Sequence, residues 1–310
     1  MQEAKTKVED TKSMVEETTE TNGLLNFIKK CATTISEQNL SGYAQMVAYN
    51  LLFATAPMLM VTIAGAAAIT RSVNSDLENP AQPLLGWMQD NLPADAAQFL
   101  NEPIAKAVAA DSGWIFSIGG LLALWGARGA VASIIKGLNM AYGTGKDDRN
   151  FFVQNAIAIG ITILLVVLLG IGGIFFALGS DLGETVVGAI GLGSVWNDVS
   201  TILRYPLIIA IAIFAVMILH RFGPEKRFPF KSYLPGAAFT IIAMLVATFA
   251  LSFWLANSGG FSETYGVFGS VMAFILWLFV MGFVILIGGV INATLHQSRH
   301  EPAVTSATEG

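Results

Sequence analysis

One cysteine, Cys31, is present among 310 residues, so the chain can build neither a disulfide framework nor a cysteine-based metal site. Charge is also scarce. Only 13% of residues are Asp, Glu, Lys or Arg, about half the roughly 25% usual in a soluble domain, whereas 54% are hydrophobic. Such a composition points to an integral membrane protein. The net charge of −5 argues against a nucleic-acid partner, which would call for a basic face. Three histidines occur, at His220, His296 and His300, and no His-Glu pair has metalloprotease spacing. No phosphate-loop pattern follows a strand. The 31 glycines fall largely within apolar stretches, where small residues let helices approach closely. The expectation is therefore a non-enzyme without metal or other cofactor.

Six long apolar runs supply what the rest of the composition withholds. They lie near residues 42–70, 114–139, 152–179, 203–220, 234–256 and 267–295, each near or above the roughly 20 residues that cross a hydrocarbon core. The fold expected is an all-α six-span helix bundle, a single membrane domain over residues 24–296. Residues 1–23 read as a disordered tail rich in Glu, Lys and Thr, and 297–310 as a second polar tail. Pro57 falls inside the first run and Pro206, in "RYP", reads as the first turn of the fourth. Leu24, Ile28, Cys31 and Ile35 share a helical stripe flanked by Lys29 and Lys30. A helix there lies on the membrane face or packs against the bundle. Residues 72–112 read as a connection with an interfacial helix, 181–198 as re-entrant or interfacial, and "FSETYG" (261–266) as a short external connection.

Lys and Arg are unevenly shared among the connections. Twelve fall in the N-terminal region, the 140–151 and 221–233 loops and the C-terminal tail, against only Arg71, Lys106 and Arg204 in the alternate connections. Positive charge marks the cytoplasmic side, so both termini are expected inside the cell, in a bacterial inner membrane.

Within the second run, "LLALWGARGAVASIIKGLN" (121–139) carries Arg128 in an otherwise apolar setting. At 100° per residue, Gly126, Ala130, Ser133 and Gly137 form one small-residue stripe, with Arg128 and Asn139 roughly opposite and Lys136 to one side. Lys136 is near the run's end and can snorkel. Arg128 is about 12 Å deeper by helical rise, where a guanidinium is expected to face protein or a wet cavity. None of the six runs contains Asp or Glu, so its partners are either amides such as Asn50, Gln154, Asn155 and Asn292, or a bound anion. Asn50 and Asn292 also suit an ordinary role as hydrogen bonds between helices.

The stretches "VAYNLLFATAPMLM" (47–60), "LLALWGARGAVASIIKGLNMAYG" (121–143), "RYPLIIAIAIFAVMILHRFGP" (204–224), "LPGAAF" (234–239), "TYGVFGSVMAFILWLF" (264–279) and "GGVINA" (288–293) resemble, in order and spacing, the YihY/BrkB family of bacterial inner-membrane proteins. The resemblance covers about residues 40–296. It implies six spans with cytoplasmic termini and a role in the envelope, with links to envelope integrity and to lipid or lipopolysaccharide export. It supplies no accepted activity, and an older ribonuclease label for the family finds no support in these residues. The family's last span commonly reads Gly-Ala-Glu-Leu-Asn-Ala, but Val290 stands here in place of the acid.

The sequence thus directs attention to Arg128, Lys136, Asn139, Asn50, Asn155 and Asn292 as a polar path for an anionic lipid or glycolipid cargo. A transporter or flippase-like protein is the function expected, with a non-transporting envelope scaffold as the alternative. Membrane lipids are the expected partners, nucleic acid is not, and a homo-oligomer is compatible with both readings.

Overall fold

The computed structural model describes residues 23–73, 115–177, 193–257 and 261–300, and every regular element among them is helical. Helix α1 covers residues 23–37. Asn39, with φ of 48°, turns the chain into α2, Leu40–Val73. A π-helical turn at Ile115–Gly119 leads into α3, Gly120–Ala141. There follow α4 (Phe151–Ala177), α5 (Gly193–Phe222), a 3₁₀ turn at Phe230–Tyr233, α6 (Leu234–Asn257) and α7 (Phe261–His300).

Five segments of these helices are long and apolar enough to cross a membrane: Ser117–Ala141, Phe151–Leu169, Tyr205–Phe222, Phe230–Leu255 and Val271–Ser298. The chain is a multi-pass membrane protein. Helices α2 to α7 pack as a closed ring in chain order, each on its successor and α7 back on α2, with α7 also touching α3. Consecutive elements tend to become neighbours, and the ring follows that tendency.

Side chains sort accordingly. Leu40, Val47, Leu138, Tyr142, Tyr233, Leu286 and Val290 are fully enclosed, while Leu121, Trp125, Phe152, Phe249 and Phe268 are more than two-thirds exposed around the periphery. A soluble protein would hide so much aromatic and aliphatic surface; lipid tails cover it without penalty. The enclosed residues gather toward one end, where residues 142–150 and 223–233 join the helices. The last turns of α7 and helix α1 meet at the same end, Cys31 donating to Thr294 Oγ1 at 3.6 Å and Phe228 stacking on His296 at 4.1 Å. The basic connections therefore share one end.

Two boundaries differ from expectation. Helix α5 starts at Gly193, so Pro206 lies within it and does not open it. A proline interior to a helix removes one donor and frees one carbonyl, which a membrane helix tolerates by local adjustment. Residues 193–198 of the stretch expected to be re-entrant are thus part of α5. "FSETYG" is not a connection but the start of the 40-residue α7, which runs unbroken to His300 and past the expected tail boundary at 297. No proline interrupts it before Pro302. Of the tail expected to be disordered at 1–23, Gly23 begins α1 and the rest lies outside the described residues, as do the 72–112 connection beyond Val73, with the interfacial helix expected there, and residues 181–192.

Candidate functional site

Helix α3 positions the residues of interest, and its small-residue stripe determines how it sits. A Cβ on Gly126 would lie 2.8 Å from the Ala54 side chain and one on Gly129 2.2 Å from Asn50 Oδ1, so α2 lies directly against this face. Asn50 Nδ2 donates to Met46 O at 2.7 Å and to Ser133 Oγ at 3.4 Å, and Ser133 in turn donates to Gly129 O. Gly137 meets Leu286 of α7 and Tyr43 of α2. The stripe predicted from the sequence is the surface on which α3 docks, and Asn50 is part of the seam.

By helical rotation Arg128 falls off the face that forms the seam, and it is half-buried. Its guanidinium lies over the ring of Trp125, with Cζ 4.9 Å from the centroid, and Trp125 itself is 68% exposed. Arg128 Nε is buried and has no hydrogen-bond partner among the described residues. None of the amides considered as partners reaches it. Asn50 serves the α2–α3 seam, Asn155 Nδ2 donates to Phe151 O, Gln154 Nε2 donates to Asp147 O and Arg149 O, and Asn292 lies in another part of the bundle. A cation–π contact supplies part of what a guanidinium loses in apolar surroundings, but it leaves a donor with nothing to bond. The site is a half-buried cation beside an exposed tryptophan.

Asn292 belongs instead to a buried junction of α5, α6 and α7. Its Oδ1 accepts from Gly236 N at 2.8 Å, satisfying an amide in the first turn of α6 that has no partner within its own helix. Its Nδ2 donates to His220 Nδ1 at 3.1 Å, and His220 Nε2 lies 3.1 Å from Ile285 O. These partners fix His220 as the neutral Nε2–H tautomer, accepting through one nitrogen and donating through the other. His220 and Asn292 are fully buried. Val290, where the family resemblance implies an acid, is also fully buried in the apolar core.

The end of α3 is tied to the 223–229 connection. Gly143, at φ of +72°, closes the helix by a Schellman arrangement in which Gly143 N bonds Met140 O and Thr144 N bonds Asn139 O. The chain then doubles back. Asn139 Nδ2 donates to Asp147 Oδ2 at 3.1 Å, while Asn139 Oδ1 accepts from Glu225 N at 2.9 Å. Arg149 holds the Asp147 carboxylate through both Nε and Nη2, and Nη2 also donates to Gly223 O at 2.8 Å. Hydrogen bonds from Arg149, aided by Asn139, hold the Asp147 carboxyl below its ordinary range against the opposing effect of burial. This lock was missed from sequence because its partners lie 74 to 86 residues apart in otherwise unremarkable polar loops.

Beside the lock is an open cavity of about 450 Å³ lined by Tyr43, Lys136, Asn139, Lys146, Asp147 and Gln154 among others. It brings Lys136 and Asn139 together and leaves Arg128, Asn50, Asn155 and Asn292 elsewhere. Lys136 and Lys146 are exposed at its rim, whereas Asn139, 1% exposed, has both ends of its amide engaged by protein. Among the described residues no group of three His, Cys, Asp or Glu side chains could hold a metal ion.

The sequence has relatives among known proteins. A ribonuclease-like protein YfkH of Bacillus subtilis is 24% identical over 281 residues, which cover 90% of this chain and 98% of the relative. A UPF0761 membrane protein of Pseudomonas aeruginosa is 29% identical over 91 residues, 29% of this chain and 22% of the relative. One from Neisseria meningitidis serogroup C is 30% identical over 83 residues, 27% and 20% respectively. The chain thus spans about a fifth of the length of the UPF0761 relatives it matches. No solved structure matches. The sequence profile of the virulence factor BrkB family aligns with residues 32–309, nine-tenths of the chain, and this multi-pass membrane protein belongs to that family.

Proposed function

We propose that this protein moves an anionic amphiphile of the bacterial envelope, a phospholipid or glycolipid, across the inner membrane, with Arg128 contacting the head group. The observation that carries the reading is the buried Nε of Arg128, without a partner among the described residues, on a half-buried guanidinium beside an exposed tryptophan. Placing a guanidinium deep in a bilayer costs about 2.5–3.5 kcal/mol on insertion scales, so a compensating group is expected. An amide can bond its donors but cannot neutralise its charge. A phosphate does both, because its oxygens match the planar fork. Lys136 and Lys146, at the rim of the 450 Å³ cavity, then serve as the approach for the same head group.

In this reading α2 is a sixth span, since its 34 residues cover about 50 Å. Both termini and the interlocked loops face the cytoplasm, following the excess of positive charge at that end. The protein does no covalent chemistry, and purified material is expected to show no ribonuclease activity above a mock preparation. Activity that co-purifies and disappears on a point substitution would overturn that part.

The decisive measurement is translocation of a fluorescent phosphatidylglycerol in proteoliposomes. Wild-type protein should move it, Arg128→Lys should retain part of the rate, and Arg128→Gln should abolish it without changing insertion or thermal stability. One observation favours the alternative of a non-transporting scaffold, namely the hydrogen-bonded closure of the 142–150 and 223–229 connections against each other. A wild-type protein that moves no lipid, or an Arg128→Gln variant that transports normally but melts earlier, would decide for the scaffold.

A further inference from the structure

A second polar cleft lies far along the chain from Arg128, between α1 and the last turns of α7. It measures about 600 Å³, and Lys29, Lys30, Thr34, Thr294, Gln297 and Ser298 are among its lining residues. The cleft exists because α1 is pinned to the bundle by one side only. Cys31 is buried and donates to Thr294 Oγ1, and Phe27 and Ile35 pack on the core. Leu24, Leu25 and Ile28 on the same helix remain 60%, 57% and 53% exposed. A helix with one flank docked, an apolar row uncovered and lysines between them is matched by one kind of occupant: an amphiphile with an anionic head and hydrocarbon tails. Water leaves the apolar row uncompensated, and lipid tails alone leave the polar cleft unfilled.

We infer that the cleft between α1 and α7 is a binding site for the phosphate head group of an anionic phospholipid of the adjoining leaflet, whose acyl chains cover Leu24, Leu25 and Ile28. Lys29 and Lys30 supply the positive charge, and the hydroxyls and amide of α7 supply neutral hydrogen bonds to the remaining oxygens. The site is independent of Arg128 and of transport. It anchors the N-terminal helix in the lipid surface and makes its seating on α7 depend on lipid charge. A scaffold would use it as readily as a transporter.

Native mass spectrometry of the full chain in detergent, titrated with phosphatidylglycerol or phosphatidylcholine, tests the inference. Wild type should retain at least one phosphatidylglycerol in preference to phosphatidylcholine. The variant Lys29→Gln/Lys30→Gln should weaken that adduct by roughly fivefold for each charge removed, the Boltzmann factor of about 1 kcal/mol per basic residue. Thr33→Trp, at an exposed position that also lines the cleft, should fill it with both lysines intact and lose the adduct too. Arg128→Gln should keep it, which separates this site from the proposed transport site. An equal affinity for the two lipids, or an adduct unaffected in both cleft variants, would overturn the inference. Displacement of the adduct by millimolar inorganic phosphate would overturn the assignment to a lipid and identify a site for soluble phosphate.

Discussion

Asn292 is the side chain whose loss should be felt most widely. It serves two groups that cannot serve themselves, the Gly236 amide at the start of α6 and Nδ1 of His220 in α5. Leucine has the same branched shape and heavy-atom count, is somewhat larger and has no polar atoms, so Asn292→Leu leaves no cavity and strands both groups in a dry interior. Each stranded group costs about 1–3 kcal/mol, and a loss of about 2–6 kcal/mol is expected in reversible unfolding in detergent micelles. A change below about 0.5 kcal/mol would mean that water reaches the junction. Val290→Glu should be harmful for a related reason. That residue is fully buried in the apolar core, where a carboxylate would lose its hydration. At this scale the sequence was partly legible. Arg128 stood out because an ionic group amid apolar residues is conspicuous, and Asn50 and Asn292 were correctly open to a role between helices. Asn139 was read as part of a cargo path, yet its amide is engaged at both ends. Composition shows that an amide is present but not which distant backbone group it will meet.

Between elements, α6 and α7 approach closely at a pair of glycines. A Cβ on Gly236 would lie 2.0 Å from Gly288 O, backbone against backbone, so no rotamer change can relieve it. Gly236→Ala should force the two helices apart, also breaking the Asn292 bond, and lower stability by at least 1–3 kcal/mol. Gly160 in α4 has nothing within 4 Å of its Cβ position. There the same substitution should be neutral or stabilising by about 0.5–1 kcal/mol through helix propensity alone. Opposite signs for the two variants in one thermal-shift series check the packing directly. The lock between the 142–150 and 223–229 connections responds instead to acid. Asp147 is held below its ordinary value near 3.8, so its contribution is fully present above that pH and is lost as pH falls through the lower value of the folded state. Hydrogen-exchange protection of residues 143–150, corrected for intrinsic rates, should be level from pH 7 to 5 and fall below about 4. Asp147→Asn should remove the step. Helix positions and the α3 seam were readable because periodicity and small-residue spacing are local properties. The start of α5 was not, because proline at a first turn and proline within a membrane helix look alike in sequence.

For the molecule as a whole, the ring of helices gathers four basic segments at one end: α1, the 142–150 and 223–233 connections, and the close of α7. Their common position was implied by counting charges in alternate connections, and the hydrogen bonds between the two loops give that count a physical basis. A side of the membrane follows only if the positive-inside rule holds for this chain. Single cysteines can decide. Cys31 is buried and must be replaced first, with serine able to keep the bond to Thr294. Asp147 and Glu225 are engaged in the lock, so labels belong on their exposed neighbours Asp148 and Lys226. In intact cells, Asp148→Cys and Lys226→Cys should resist a membrane-impermeant maleimide and react only after permeabilisation, whereas Asn91→Cys and Gly259→Cys should react at once. The reverse pattern would turn the molecule over, putting α1 and its cleft against the outer leaflet. Reaction of all four in intact cells would mean that these connections do not lie on opposite sides of a membrane barrier, and the proposed six-span arrangement would fall with it.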